Sequence, residues 1–161
     1  MKVVVTGGGG FVGSGLCRRL RDLGHGVTAL GRRPSAALAA EGIRTVIQDL
    51  SAPQAEAALA PLFSGAECVF HTAAHVKMWG PREAFVQGNL VATRNVIAAC
   101  RAAGVAKLVF TSSPSVVATD HDLRGIDESQ PYPARYKAFY PETKAAAERV
   151  AATVRATFFG P

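Results

Sequence analysis

Residues 2–13 read KVVVTGGGGFVG, and this segment is the strongest indication of the fold. Its β-branched first part, residues 2–6, predicts a buried strand, and the pattern of residues 12–23 predicts a helix soon after the glycines. Where side chains are missing, backbone amides and the positive end of a helix can approach a pyrophosphate group. The stretch therefore predicts a strand–turn–helix unit with a phosphate site. We assign to this site Gly7, Gly10, Phe11, Val12 and Gly13.

Short apolar runs and helical patterns alternate along the rest of the chain. Four further strands are predicted at residues 27–30, 45–48, 68–71 and 107–111, and a long helix at residues 82–103. Strands that are apolar throughout, with helices between them, form a parallel sheet that is covered on both faces. We therefore predict an α/β fold, a Rossmann-type doubly wound parallel sheet in one domain over residues 1–161. Its site should lie at the carboxyl ends of the strands.

Composition excludes several classes of protein. The 161 residues are 48% hydrophobic and 19% charged, which rules out a disordered chain. No apolar run approaches the roughly 18 residues that a membrane span needs. The glycines at 7–10 interrupt any apolar segment of a secretion signal, so we expect a cytoplasmic protein. The three cysteines are far apart and are interpreted as reduced packing thiols.

The net charge of +6 suits a phosphate-bearing small molecule as well as nucleic acid. No basic run is interleaved with aromatic residues, so we predict no nucleic-acid partner. Arg32 and Arg33 follow the second predicted strand. An acid there would bind a ribose hydroxyl of NAD, whereas arginines pair with the 2′-phosphate of NADP. We predict NADP, with NAD as the alternative if both arginines are solvated loop charges. Asp49 and Leu50 follow the third strand, where the carboxylate could meet the adenine amino group.

Two more segments are predicted at the same edge of the sheet. Ala73 and Ala74 follow the fourth strand, and their small side chains would let the backbone pass close to a cofactor. His71 and His75 are four residues apart, but no third ligand is in sight, so we interpret them as packing or turn histidines and predict no metal. Ser113 follows the fifth strand, where its hydroxyl could donate to a substrate carbonyl.

Tyr140 and Lys144 are four residues apart, so on a helix they share a face. An ammonium group near a phenol stabilises phenolate and lowers a pKa that starts near 10. The tyrosine could then act as a general acid toward a carbonyl or as a base toward an alcohol. Together with the glycine loop and Ser113, this pair predicts an oxidoreductase site.

These segments resemble the extended short-chain dehydrogenases/reductases of the NAD-dependent epimerase/dehydratase superfamily, in the branch of 3β-hydroxysteroid dehydrogenases and dihydroflavonol reductases. The matching pieces are TGGGGFVG at 6–13, Asp49-Leu50, HTAA at 71–74, Asn89, LVFTSSPSVV at 108–117, DES at 127–129 and YPETKAAAE at 140–148. The resemblance implies that Ser113 polarises the carbonyl and that Tyr140 carries the proton. It implies that Lys144 tunes the tyrosine and holds the nicotinamide ribose, and that Asn89 belongs to the cofactor site. Ser112 is the neighbouring candidate for the serine.

The segment at residues 75–80 is similar to bacterial sterol-dehydrogenase-like members and to 2-alkyl-3-oxoalkanoate reductases. This similarity implies a secondary alcohol or ketone of a steroid-like or long-chain 3-oxo acid as substrate. Met78 and Trp79 could line an apolar pocket, or they could be core residues.

Members of the family continue into a C-terminal substrate domain, which we expect to be absent here. Residues 153–159 with Gly160-Pro161 are interpreted as a shortened sixth strand and its turn. An uncovered apolar surface would favour a homo-oligomer.

Two other functions are consistent with these features. A non-catalytic dinucleotide-binding module would use the glycine loop but would have no need of Tyr140 and Lys144. A nucleotide-sugar epimerase or dehydratase would use the same three catalytic residues. It usually has an acid after the second strand, however, where this chain has Arg32 and Arg33.

Overall fold

The computed structural model describes residues 1–118, 124–127 and 129–158, with side chains up to Thr153. Its strands are β1 (Lys2–Thr6), β2 (Gly26–Gly31), β3 (Arg44–Ile47), β4 (Cys68–His71) and β5 (Lys107–Phe110). Its helices are α1 (Phe11–Asp22), α2 (Ala36–Ala40), α3 (Ala55–Phe63), α4 (Arg82–Phe85), α5 (Ala92–Ala102) and α6 (Phe139–Phe158). A π-helical stretch, Val86–Val91, joins α4 to α5, and a 3-10 turn, Pro114–Val117, follows β5.

The five strands form one parallel sheet in the order β3-β2-β1-β4-β5. After β1 the chain adds β2 and then β3 on one side, and it adds β4 and then β5 on the other side of β1. The strand order therefore reverses beside β1, and ligands of open α/β sheets bind at such a point, outside the carboxyl ends of the strands. The predicted Rossmann-type doubly wound sheet is confirmed.

The core lies on both faces of the sheet because successive side chains of β1 point in opposite directions. Val4 packs in one cluster with Leu59 and Val96, which α3 and α5 contribute. Val3 and Val5 pack on the other face with residues of α1. The three cysteines are free and buried, as predicted: Cys17, Cys68 and Cys100.

Helix α6 differs from the predicted end of the chain. The alanine-rich sequence continues as one helix from Phe139 to Phe158, so the start of a sixth strand predicted from residue 153 is wrong within the described residues. Alanine is the strongest helix former, and nothing in residues 145–153 interrupts the helix. The predicted Gly160-Pro161 turn and Glu128 of the DES segment lie outside the described residues.

None of the helices in the described ranges combines the length and the apolar character that crossing a membrane requires.

Candidate active site and dinucleotide cleft

The glycine loop between β1 and α1 is built by close backbone contacts. A Cβ atom at Gly13 would lie 2.1 Å from the carbonyl oxygen of Gly7, and one at Gly7 would lie 2.7 Å from the amide nitrogen of Ala73. Gly7 also has a φ of 72°, in the left-handed region. A larger residue at position 7 or 13 would therefore force apart the backbone segments that form the loop.

Helix α1 begins at this loop with its first amides available. Gly10 precedes the helix, and no described side chain caps it. The amide of Gly10 donates to the carbonyl of Gly7 over 2.9 Å, which closes the turn. Uncapped amides and the helix dipole together favour an anion at this position. These features fit the pyrophosphate of a dinucleotide.

A cleft of about 870 Å³ runs from this loop along the carboxyl edge of the sheet. The predicted cofactor residues that line it are Gly7, Gly10, Phe11, Val12, Gly13, Arg32, Arg33, Asp49, Leu50, Ala73 and Ala74. Sequence reasoning missed other lining residues, including Gly31, Gln48 and Thr72. Each of these directly follows or ends a strand, so the position of the strand ends could have identified them.

The rim of the cleft after β2 is positively charged. Arg32 and Arg33 are exposed, and neither forms a salt bridge with any residue that the structure describes. After the neighbouring strand β3, the Asp49 carboxylate accepts hydrogen bonds from the amide and hydroxyl of Ser51, over 2.9 and 2.7 Å. These bonds, with a smaller contribution from Arg32, hold the pKa of Asp49 below its usual value.

His71 ends β4 beneath the cleft and is fully buried. Its Nδ1 lies 2.6 Å from the Thr6 hydroxyl and its Nε2 lies 3.0 Å from the Thr93 hydroxyl. Because the Thr93 hydroxyl donates to the carbonyl of Asn89, its oxygen accepts from the histidine, which assigns the proton to Nε2. Burial, and secondarily the charge of Lys144, lowers the pKa of His71 to about 3. The prediction of a packing histidine is confirmed.

Asn89 lies in the interior, in the π-helical stretch, and does not line the cleft. Its side-chain oxygen accepts from the amide of His75 over 2.7 Å, and its nitrogen donates to the Thr143 hydroxyl over 3.0 Å. One amide group therefore connects the segment after Ala74 to helix α6. Asn89 therefore links the two ends of the site in the structure.

The catalytic candidates on α6 lie on its first two turns. Tyr140 is half-buried, and its hydroxyl has no hydrogen-bond partner among the described residues. Lys144 is buried; its ammonium donates to the carbonyl of Thr111 over 2.6 Å and lies 4.2 Å from the centre of the Phe110 ring. Burial lowers the pKa of Lys144 to about 8, although the charge of Glu148 acts in the opposite direction.

The two serines after β5 have different partners. Ser113 lies with its hydroxyl 2.9 Å from that of Ser115, and it accepts from the Ser115 amide over 3.3 Å. The hydroxyl of Ser112 instead donates to the carboxylate of Glu148. Sequence reasoning missed Glu148, although its position four residues after Lys144 places it on the same side of the helix.

Met78 and Trp79 are 82% and 84% exposed, so their interpretation as core residues is wrong. Their neighbours His75 and Val76 line the cleft. The predicted role of Met78 and Trp79 in an apolar substrate pocket stays a prediction.

A parallel sheet that reverses beside β1, a glycine loop closed by backbone contacts and a cleft along the strand ends define a dinucleotide-binding domain of the Rossmann type. A model of the NAD dependent epimerase/dehydratase family matches residues 3–160. The chain therefore belongs to this family.

Relatives in this family include oxidoreductases. A 2-alkyl-3-oxoalkanoate reductase of Stenotrophomonas maltophilia is 42% identical over 151 residues, which cover 92% of this chain and 45% of that protein. A 3-beta-hydroxysteroid dehydrogenase of Mycolicibacterium neoaurum is 36% identical over 155 residues, 92% of this chain and 42% of that protein. These relatives confirm the resemblance inferred from the sequence segments.

A solved structure of a short-chain dehydrogenase/reductase superfamily protein from Agrobacterium tumefaciens, with bound NAD, superposes with a TM-score of 0.85 at 28% identity. The match covers 99% of this chain and 46% of that one. The chain thus spans less than half the length of each of these three proteins.

Proposed function

We propose that this chain carries the cofactor site and the catalytic side chains of an NAD(P)-dependent oxidoreductase that prefers NADP. Its substrate would be a secondary alcohol or ketone of a long-chain 3-oxo acid or a steroid-like molecule. The observation that carries the proposal is the contact between the Lys144 ammonium and the carbonyl of Thr111 at the end of β5. This contact brings the tyrosine–lysine helix to the edge of the sheet along which the cleft runs.

The residues of the chain divide the work of a ketone reduction. The nicotinamide, when bound, supplies or accepts the hydride. The hydroxyl of Tyr140, which no described residue engages, would donate a proton to the carbonyl oxygen, and Ser113 would donate a hydrogen bond to the same oxygen. Lys144 stays mostly protonated at neutral pH, because its pKa of about 8 lies above 7, and its charge favours phenolate after proton transfer.

The preference for NADP is supported by the exposed guanidinium groups of Arg32 and Arg33 at the rim of the cleft. NADPH and NADH are titrated into the protein while the nicotinamide fluorescence is followed. We expect NADPH to bind about tenfold or more tightly, and the double variant R32A/R33A to lose this difference. Arg19→Ala is the matched control, because it removes a different exposed arginine, on α1. This variant should retain the preference for NADPH. Equal binding of both cofactors by the natural sequence would contradict the preference.

The oxidoreductase activity is tested with NADPH and a 2-alkyl-3-oxo acid, by following the loss of NADPH absorbance. Tyr140→Phe should reduce the rate by about 100-fold or more and leave NADPH binding within twofold, because only the transferable proton is removed. Tyr136→Phe is the matched control, since the Tyr136 hydroxyl donates to the carbonyl of Val116. Tight NADPH binding without turnover on alcohols or ketones would instead support a non-catalytic dinucleotide-binding module.

A nucleotide-sugar epimerase or dehydratase is the second candidate, because the family model that matches residues 3–160 includes both activities in its description. UDP-glucose is added to the protein in the presence of NAD, and product formation is followed by chromatography. Conversion of the sugar with no reaction of the oxo acid would favour this candidate over the reductase.

A further inference from the structure

The Glu148 carboxylate lies between two elements that carry catalytic candidates. One of its oxygens accepts from the hydroxyl of Ser112, in the segment that follows β5. Its other oxygen accepts from the hydroxyl of Tyr132 over 2.7 Å. Glu148 lies one helical turn beyond Lys144 on α6, so the same group contacts the serine segment and faces the catalytic lysine.

Among the described residues, few charges near Lys144 could balance its ammonium. On the β5 side it meets the Phe110 ring and the carbonyl of Thr111. On the β4 side the nearby titratable group is His71, which is neutral because its pKa is about 3. Within α6, Tyr140 lies one turn before Lys144 and Glu148 one turn after it.

The other charged groups near this face of α6 are already engaged. The guanidinium of Arg149 lies 4.3 Å from the centre of the Tyr132 ring. Glu142, the second carboxylate on the described part of the helix, pairs with Arg82 on α4. Glu148 is therefore the negative charge that acts on Lys144 in the described part of the chain.

We infer that Glu148 is a positioning residue for the proposed serine–tyrosine–lysine site. Its carboxylate holds the hydroxyls of Ser112 and Tyr132 against helix α6, one helical turn from Lys144. At this position we expect its charge to favour the ammonium form of the lysine. The Ser112 hydroxyl is held by this carboxylate, whereas the Ser113 hydroxyl contacts Ser115, and Ser113 remains the serine assigned to the substrate carbonyl in the proposed function. This inference rests on the proposed function for its catalytic meaning, but its test needs neither cofactor nor substrate.

The test follows the titration of Lys144 by NMR in protein labelled with ¹³C at the lysine Cε, the signal being assigned with Lys144→Arg. Glu148→Gln removes the charge at nearly constant size. We expect the pKa of Lys144 to fall by about half a unit or more below its natural value, because the ammonium loses its attractive partner. A role limited to packing would have the opposite sign, since a loosened helix would hydrate the lysine and raise its pKa.

Three further variants separate charge, hydrogen bond and helix stability. Glu142→Gln removes one carboxylate from the same helix and should leave the pKa of Lys144 unchanged. Ser112→Ala removes the hydrogen bond and keeps the charge, so the pKa of Lys144 should change much less than in Glu148→Gln. Glu148→Asp keeps the charge, so the pKa of Lys144 should stay close to its natural value. This variant also tests the role of the charge if Glu148→Gln does not fold.

A second titration measures the other partner of the carboxylate. Burial and Glu148 raise the pKa of Tyr132 to about 12. Glu148→Gln should lower this pKa, measured by absorbance at high pH and assigned with Tyr132→Phe. An unchanged or raised pKa of Lys144 in Glu148→Gln would overturn the inference. Failure to bind NADPH would overturn the proposed function and leave this result standing.

Discussion

The proposed cofactor end and the proposed catalytic end of the site are built in different ways. The loop depends on glycine at positions 7 and 13, because the neighbouring backbone lies too close to leave room for a Cβ atom at either position. Around Lys144, polar groups are instead held by other polar groups: the ammonium by the carbonyl of Thr111, and the hydroxyl of Ser112 by the carboxylate of Glu148. One added methyl group should therefore disable the cofactor end. The catalytic end should respond by degrees, because it depends on charges and hydrogen bonds.

The largest effect is expected from Gly13→Ala. Its Cβ would lie 2.1 Å from the carbonyl oxygen of Gly7, so loop and helix must separate and the phosphate site is lost. The dissociation constant for NADPH should rise by about 100-fold or more, a factor that corresponds to about 2.7 kcal/mol. It is measured by titration of nicotinamide fluorescence.

Gly15→Ala is the matched control for this change, because nothing lies within 4 Å of a Cβ at that position in the same helix. It should keep NADPH binding and raise the free energy of unfolding in urea by about 1 kcal/mol, since alanine favours the helix. If Gly13→Ala bound NADPH as the natural sequence does, the backbone account of the cofactor end would be wrong.

The next effect concerns His71, which lies between the two ends. His71→Leu leaves the buried hydroxyls of Thr6 and Thr93 without their ring partner, so the free energy of unfolding should fall by about 2 kcal/mol. Urea unfolding measures it. His25→Leu is the control, because His25 is half-buried and its ring contacts the amino terminus. Equal losses in the two variants would show that the buried network adds nothing specific.

The cofactor end could be predicted from the sequence because its determinants are local. The glycines, the strand before them and the helix after them lie within residues 2–23, and strand ends of a parallel sheet share an edge. Arg32, Arg33 and Asp49 could be placed by the same rule. No distant contact was needed to locate them.

The catalytic end could be predicted only in part. The spacing of Tyr140 and Lys144 is local, but the lysine meets Thr111, which is 33 residues away, and Ser112 meets Glu148 across 36 residues. The Asn89 amide likewise contacts residues that are distant in sequence, His75 and Thr143, and its predicted place at the cofactor stays a prediction. Such partners depend on how helix α6 packs against the sheet, and a single sequence contains no local pattern for that packing.

Lys144 should add a pH-dependent effect that is smaller than these for each single pH unit. Its pKa is about 8 in the folded chain and near 10.4 when unfolded, so between these values the unfolded state binds one more proton. The stability contributed by this group therefore rises as pH increases from about 8 to about 10.4, by up to about 1.4 kcal/mol per pH unit.

The measurement compares urea unfolding of the natural sequence and Lys144→Met at several pH values. The difference between the two curves should rise over this window, because the variant lacks the titrating group. Lys137→Met, an exposed lysine just before α6, is the control and should follow the natural sequence. A difference that stays flat above pH 8 would mean that Lys144 keeps an ordinary pKa.

The smallest effect is expected from Asp49→Asn, at the cofactor end itself. The carboxylate of Asp49 is already held by the amide and hydroxyl of Ser51, and an asparagine oxygen can accept the same hydrogen bonds. The dissociation constant for NADPH should therefore change by less than about fivefold, roughly 1 kcal/mol. The same fluorescence titration measures it, with Ser51→Ala as the companion variant. A loss as large as that of Gly13→Ala would mean that the Asp49 side chain contributes as much to NADPH binding as the backbone of the glycine loop does.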